Sequence, residues 1–148
     1  PLEPLNYLLS RNFVTGCASA LNRRLLVEAL PVSDSAVMHD WWLAMVAAGF
    51  GKLVFLEEAP IAYRQHGSNA VGAKPKKIEQ EAAGFIARLF ALERNEHLVD
   101  VAKQAKEFSR SFGSQLSFAQ RRALFFCARM NTQNAIAQRV FYRLARAS

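Results

Sequence analysis

The chain has 148 residues, of which 51% are hydrophobic and 21% charged. This composition is typical of one globular domain and excludes wholesale disorder or a collagen-like repeat. The two cysteines, Cys17 and Cys127, lie far apart, so neither a disulfide framework nor a zinc knuckle is supported. No apolar run approaches the ~18 residues that a membrane-spanning helix needs. The opening Pro-Leu-Glu-Pro, without an initiator Met or signal segment, predicts an excerpt from a longer protein.

The net charge of +7 comes entirely from the end of the chain. Residues 1–108 contain 12 basic and 12 acidic side chains, whereas residues 109–148 contain seven arginines, no lysine and no acid. Such a segment can bind anionic lipid headgroups or nucleic acid, or it can be a solvated basic face without a partner. Charge patterning alone leaves these alternatives open.

The first half of the chain predicts short helices, loops and short strands. In chain order these are a tight strand or turn around Gly16, a helix over 23–29, a loop over 31–38, an apolar helix from Asp40 to the Gly49/Gly51 pair, strands over 53–56 and 61–65, and a loop over 66–77. Small residues surround Gly16 and allow close backbone approach. Because Asp is a favoured N-cap, we expect the Asp40 carboxylate to cap its helix at the positive end.

The second half predicts helices over 78–92, 98–112, 117–130 and 132–147, because apolar residues recur there at helical spacing. On the last helix, Ile136, Val140 and Leu144 form one stripe with arginines beside it. The expected fold class is therefore α+β and mainly helical, with few short strands. We expect a mixed part over 1–75 and a helical region with a basic tail over 76–148.

The segment His39-Asp40-Trp41-Trp42 is the first candidate for chemistry. In one interpretation both tryptophans belong to the core and Asp40 is only a cap. In the other, Asp40 is a general base and the indoles are aromatic walls against which a sugar can lie. A metal-dependent HD phosphohydrolase is excluded, because the chain has no histidine before His39.

The second candidate is Tyr63-Arg64-Gln65-His66-Gly67-Ser68-Asn69, which combines a cation, an imidazole and two amides. Arg64 suits phosphate oxygens, and neutral His66 suits a divalent ion that bridges a diphosphate. A lone histidine is, however, more often a structural hydrogen-bonding residue than a ligand. Phosphate-binding P-loop and serine-hydrolase signatures are both absent from the sequence.

Four segments together resemble the second half of a family 2 glycosyltransferase, with the nearest likeness to bacterial rhamnosyltransferases and cell-surface polysaccharide enzymes. They are Val14-Thr15-Gly16-Cys17-Ala18, Asn22-Arg23, His39-Asp40-Trp41-Trp42, and Tyr63 to Asn69 with Val71-Gly72-Ala73. The resemblance covers about residues 5–75. It implies a GT-A fold, transfer of a sugar from a nucleotide-sugar donor to an acceptor hydroxyl with inversion, and a place in the bacterial cytoplasm or peripherally on the inner face of the membrane.

On this resemblance Asp40 is the general base that deprotonates the acceptor. Trp41 and Trp42 help to shape the acceptor pocket. The position before the base is often acidic in the family, whereas here it is His39, which either tunes Asp40 or orients it.

The resemblance also implies residues for the donor side of the reaction. Thr15 and Gly16 line the loop where donor and acceptor meet. His66 approaches a divalent metal (Mg or Mn) or the diphosphate, with Arg64 and Asn69 in support. Family members carry an Asp-x-Asp metal motif in a nucleotide-binding half, and this chain has none. We therefore expect the metal only in the full-length enzyme, and no activity from this fragment alone.

The expected partners are a nucleotide-sugar donor and a glycan or lipid-linked acceptor, with an anionic membrane surface and a second copy of the chain as further candidates. The alternative function is a non-enzymatic basic helical module that binds nucleic acid or anionic membrane. Aromatic residues interleaved with the arginines motivate that alternative. Of these partners, nucleic acid is the less favoured.

Overall fold

The computed structural model describes residues 4–59, 61–62, 64, 96–132 and 134–147. Within these ranges the chain is mainly helical and contains no strand. The α-helices of this part are α1 (Pro4–Leu8), α2 (Arg23–Ala29), α3 (His39–Phe50), α4 (Glu96–Phe112), α5 (Phe118–Ala128) and α6 (Ala135–Ala147). Single 3-10 turns lie at Gly16–Ala18 and Gly113–Gln115.

The chain forms two compact units, one of Pro1–Phe55 with Arg94–Ser148 and the other of Leu56–Glu93. All six named helices belong to the first unit. The predicted boundary near residue 75, the loop over 66–77 and the helix over 78–92 fall outside the described residues.

Side-chain caps explain where three of the helices begin. Asn22 accepts a hydrogen bond from the Leu25 amide (2.9 Å) at the start of α2. Ser117 and Gln120 form a reciprocal capping box at the start of α5, and Asn134 accepts from the amides that open α6. Such caps satisfy backbone N–H groups that have no partner within the helix. The helices predicted over 23–29, 98–112, 117–130 and 132–147 are confirmed, with shifts of up to three residues at their ends.

Two local predictions that fall on fully described residues are wrong. Asp40 is not an N-cap, because α3 begins one residue earlier and Met38 occupies the capping position without a side-chain bond. Residues 53–56 form no strand, and three apolar side chains there (Val54, Phe55, Leu56) are exposed. Since β propensity measures packing against neighbouring strands, it has little effect where no partner strand is described. The described residues of the 61–65 segment are likewise not a strand.

The core of the first unit joins α3 to α4 through aromatic packing. The Trp42 ring lies 5.4 Å from the Phe108 ring and 6.1 Å from the Phe112 ring, measured between centroids. Leu5 and Leu8 of α1 and Leu124 of α5 complete this fully buried cluster. Aromatic pairs at these distances contribute ~1 kcal/mol each beyond the area they bury. This packing holds α3 in place, and with it the residues at its first turn.

A buried glutamine fixes the approach to α3. Gln104 of α4 accepts a hydrogen bond from the Val37 amide (2.8 Å) and donates one to the sulfur of Met45 (3.1 Å). The first bond holds the loop that precedes α3, and the second joins α4 to the middle of α3. Because Gln104 is almost fully buried, both bonds satisfy polar atoms that water cannot reach.

Candidate functional site

The Asp40 carboxylate is held in place by the segment that precedes the first 3-10 turn. The Gly16 amide donates to Oδ2 of Asp40 (2.9 Å), and the side-chain amide of Asn12 donates to Oδ1 (3.1 Å). Asn12 is itself fixed, since its own oxygen accepts from the Val14 amide (2.9 Å). Asp40 is only 7% exposed. Within the described ranges it makes no ion pair, so these two donors define its orientation.

Gly16 lies so close to α3 that a side chain would not fit without movement. A Cβ atom built on Gly16 would lie 3.1 Å from Nε2 of His39 and 3.3 Å from both Cβ and Oδ2 of Asp40. The absent side chain lets the Gly16 amide reach the carboxylate. The close backbone approach predicted at this glycine is therefore confirmed, in a turn and not in a strand.

The structure brings four of the predicted site residues together: Thr15, Gly16, His39 and Asp40. His39 is exposed at the first position of α3, and its Nε2 and the Asp40 carboxylate both lie beside Gly16. Thr15 is exposed next to Gly16, and its carbonyl closes the 3-10 turn by accepting from the Ala18 amide (2.9 Å). The His39 imidazole and the Asp40 carboxylate thus lie beside the same glycine, which Thr15 precedes in the chain.

The two tryptophans belong to the core and not to the surface. Trp41 and Trp42 are each only 2% exposed. The Trp41 indole N–H donates to the carbonyl of Leu8, and that of Trp42 donates to the carbonyl of Ala29 (3.3 Å). This arrangement matches the first interpretation of the pair, in which both indoles pack in the interior. They act on the site indirectly, by fixing the direction from which α3 presents Asp40.

The other residues predicted for the donor side, Arg64, His66 and Asn69, are not part of the described first unit. Arg64 is exposed and belongs to the second compact unit. His66 and Asn69 fall outside the described residues. In the part of the chain that the structure describes, no three His, Cys, Asp or Glu side chains gather as metal ligands.

Asn12 is a site residue that the sequence analysis did not single out. It lies 28 positions before Asp40, so no local pattern joins the two. The sequence contains only a weak local signal. Asn12 lies two residues before Val14, so its side-chain oxygen can form an Asx turn with the Val14 amide. The N–H₂ group of Asn12 can then donate to another segment.

The carboxylate of Asp40 keeps capacity for a further hydrogen bond. An ionised carboxylate can accept about four bonds, and the described residues supply one to each oxygen. A hydroxyl that reached the carboxylate could therefore donate a further hydrogen bond to it. Chemically, the arrangement is a fixed carboxylate that can accept a proton from an alcohol.

Comparisons with known proteins add nothing to the geometry of this site. Neither protein-family models, nor curated proteins, nor solved structures give a match to the chain.

Proposed function

We propose that this chain is the acceptor and catalytic-base part of an inverting family 2 glycosyltransferase of GT-A fold, acting in bacterial cell-surface polysaccharide synthesis. The observation that carries the proposal is the Asp40 carboxylate. It is nearly buried, oriented by two N–H donors, and adjacent to His39 and the Gly16 turn. These residues belong to two of the four motifs behind the resemblance, Val14–Ala18 and His39–Trp42.

In the proposed reaction Asp40 accepts the proton of the acceptor hydroxyl. The hydroxyl oxygen attacks the anomeric carbon of the donor sugar, a new carbon–oxygen bond forms, and the bond to the diphosphate oxygen breaks on the opposite face. The nucleoside diphosphate leaves with the electron pair, and the proton stays on Asp40. Positioned proton transfer of this kind contributes about 10²- to 10⁴-fold to rate.

Most of the donor-binding apparatus is proposed to lie in a part of the protein other than the Asp40 site. The chain has three aspartates, at positions 34, 40 and 100, and none belongs to an Asp-x-Asp motif. We therefore propose that a nucleotide-binding half, with its divalent metal, is supplied by another part of the protein. The 148 residues alone are expected to be inactive, and the complete protein to transfer sugar.

A purely structural role for Asp40 makes a different prediction, because its two hydrogen bonds also fasten the Asn12–Gly16 segment to α3. Exchanging the two side chains separates the roles. In the double variant Asn12→Asp/Asp40→Asn, the new amide at position 40 can donate to the new carboxylate at position 12 and still accept from the Gly16 amide. The Val14 amide keeps its acceptor as well, so all four groups remain paired.

The experiment measures transfer of radiolabelled sugar from dTDP-rhamnose, UDP-glucose, UDP-galactose and GDP-mannose to bacterial lipid and glycan extracts. The protein is expressed from its complete reading frame, in the wild-type form and as the exchanged variant. We expect the exchange to lower turnover by about 10²- to 10⁴-fold, while the free energy of unfolding changes by less than about 1 kcal/mol. Asp34→Asn, which removes an exposed carboxylate before α3, serves as the matched control and keeps full activity.

Two results would contradict the proposal. One is an exchanged variant that keeps wild-type turnover, since the carboxylate would then serve only the fold. The other is the absence of transfer from every donor by the complete wild-type protein.

A further inference from the structure

We propose that the outward face of α6 binds the surface of an anionic lipid bilayer. This face, called here the α6 face, consists of three apolar residues and three arginines: Ile136, Val140, Leu144, Arg139, Arg143 and Arg146. The inference concerns a partner, and its test needs no transfer activity, so its outcome is independent of the proposed enzymatic function.

The apolar half of the α6 face lies on the surface although its spacing is that of a buried stripe. Ile136, Val140 and Leu144 recur every four residues and are 59%, 48% and 40% exposed. The opposite side of α6 is buried through smaller or polar side chains, Ala135, Gln138 and Ala145. The helix packs on the protein through this side, together with the partly buried Phe141 and Tyr142, and leaves its aliphatic stripe outward. A contiguous outward stripe of this kind is typical of an interaction surface.

The arginines border this stripe along one edge. At 100° per residue, Arg139, Arg143 and Arg146 lie within about 60° of one another, next to Ile136. With Tyr142 they line an open depression of about 510 Å³. No acidic residue occurs after position 108, so none on α5 or α6 can neutralise them. The α6 face is thus apolar on one side and uniformly positive on the other.

This combination fits a helix that lies in the plane of a membrane surface. Aliphatic side chains enter the boundary between headgroups and acyl chains, while arginine stems extend toward anionic headgroups. With 13 residues, α6 is about 20 Å long. No helix in the described part of the chain has the length and apolarity to cross a bilayer. In the proposed contact α6 lies along the bilayer surface.

The α6 face suits a bilayer better than nucleic acid. Phosphates would attract the arginines, but Ile136 and Val140 offer neither a ring on which a base could stack nor a hydrogen-bond donor. On neighbouring α5 the exposed ring of Phe125 is covered by the Arg129 guanidinium, whose carbon lies 3.4 Å from the ring centroid. That ring face is therefore not open to a base.

A second copy of the chain is also a poorer fit. A two-fold interface through α6 would place the same patch of each copy against the other. The arginines of both copies would then approach one another, and residues 109–148 contain no acid to pair with them. Like charges that face each other across an interface oppose association.

The test is sedimentation of the 148-residue chain with vesicles of phosphatidylcholine alone or mixed equally with phosphatidylglycerol. We expect binding to the anionic vesicles only, weakened by 0.5 M NaCl. The variant Val140→Ser/Arg143→Gln should lower the partition coefficient at least tenfold, given about fivefold for each arginine near an anionic surface and a further loss for the buried aliphatic group.

The matched control is Arg24→Gln/Val27→Ser, which makes the same two changes at exposed positions of α2. It should bind like the wild type, and thermal unfolding should show that both variants fold. The inference is overturned if neutral and anionic vesicles bind equally, or if both variants lose binding to the same extent. It is also overturned if the α6 variant instead abolishes binding to a 20-nucleotide RNA, or dissolves a dimer seen by analytical ultracentrifugation, while vesicles bind neither protein.

Discussion

The Asp40 site and the α6 face are built in opposite ways. The site is one nearly buried carboxylate whose donors lie 24 and 28 positions away in sequence. The α6 face consists of six side chains supplied by a single helix. Activity at a site assembled by the tertiary fold should fall sharply after a single substitution. Binding through a face supplied by one helix should instead fall in small, nearly additive steps.

The largest expected contrast is in the reactivity of the two cysteines, one beside the Asp40 site and one inside α5. Cys17 is exposed in the turn beside Asp40, whereas Cys127 is buried inside α5. Burial raises the pKa of the Cys127 thiol to about 12. Since only the thiolate reacts, and at pH 8 roughly one molecule in 10⁴ would carry it at Cys127, we expect that thiol to react at least about a thousandfold more slowly.

Titration with a chromogenic disulfide at pH 8 should show one fast thiol per chain, and the second only in guanidinium chloride. In Cys17→Ser the fast phase should vanish. Two fast thiols in the native protein would mean that α5 opens readily and that the interior does not protect Cys127.

The second contrast concerns aromatic residues. Trp42→Ala removes a ring packed against Phe108 and Phe112, and we expect the free energy of unfolding to fall by about 3–5 kcal/mol. Phe118→Ala removes a ring that is 72% exposed at the start of α5, and the expected change is within about 0.5 kcal/mol. Urea unfolding measures both. Similar losses from the two variants would show that the α5 surface is part of the core.

The third contrast uses two glycines. Gly16→Ala places a methyl group 3.1 Å from the His39 imidazole and 3.3 Å from the Asp40 carboxylate, so either the turn or the carboxylate must move. We expect a destabilisation of about 1–3 kcal/mol. We also expect turnover of the complete protein to fall at least about tenfold, since small displacements of a catalytic group are costly.

Gly113→Ala is the matched control, because a methyl group there meets only the hydroxyl of Ser109 at 3.4 Å. It should leave stability within about 0.5 kcal/mol and turnover unchanged. If Gly16→Ala behaved like this control, the Asp40 carboxylate would not be held as tightly as its two hydrogen bonds indicate.

The same difference between local and long-range construction explains what the sequence could predict. The helix over 23–29 and the α5 helix were predicted well because Asn22 and Ser117 are caps with local partners. The cap assigned to Asp40 was wrong because its carboxylate bonds to a distant segment instead of to its own helix. The strand over 53–56 failed for a related reason, since a strand depends on a partner that local propensity does not specify.

The candidate site was predictable in part for the same reason. Motif order pointed to Thr15, Gly16, His39 and Asp40, which the structure brings together. The contribution of Asn12 could not be read locally, because its contact depends on how the chain folds back onto α3. Whether Trp41 and Trp42 were core or surface could not be decided by residue type, since indoles serve in both places. Their N–H bonds to buried carbonyls decide for the core.

The smallest expected effect is that of a single charge on the α6 face. Arg143 lies four residues after Arg139 and three before Arg146, and like charges at these spacings oppose helix formation by about 0.2–0.5 kcal/mol per pair. Arg143→Gln should therefore leave the free energy of unfolding unchanged or raise it by up to about 0.5 kcal/mol, with less gain at high salt. The comparison is with Gln104→Leu, which removes both hydrogen bonds of a buried side chain and leaves the Val37 amide without its acceptor; it should lower stability by about 1–3 kcal/mol.

Thermal and urea unfolding at 20 mM and 500 mM NaCl measure both variants. If Arg143→Gln leaves the free energy of unfolding unchanged or raises it, Arg143 does not stabilise its own helix. Its presence is then explained by contact with a bilayer and not by the fold. Loss of more than about 1 kcal/mol in Arg143→Gln would instead make this arginine part of the internal structure. In that case the α6 face could not be treated as a surface whose charges are available to a partner.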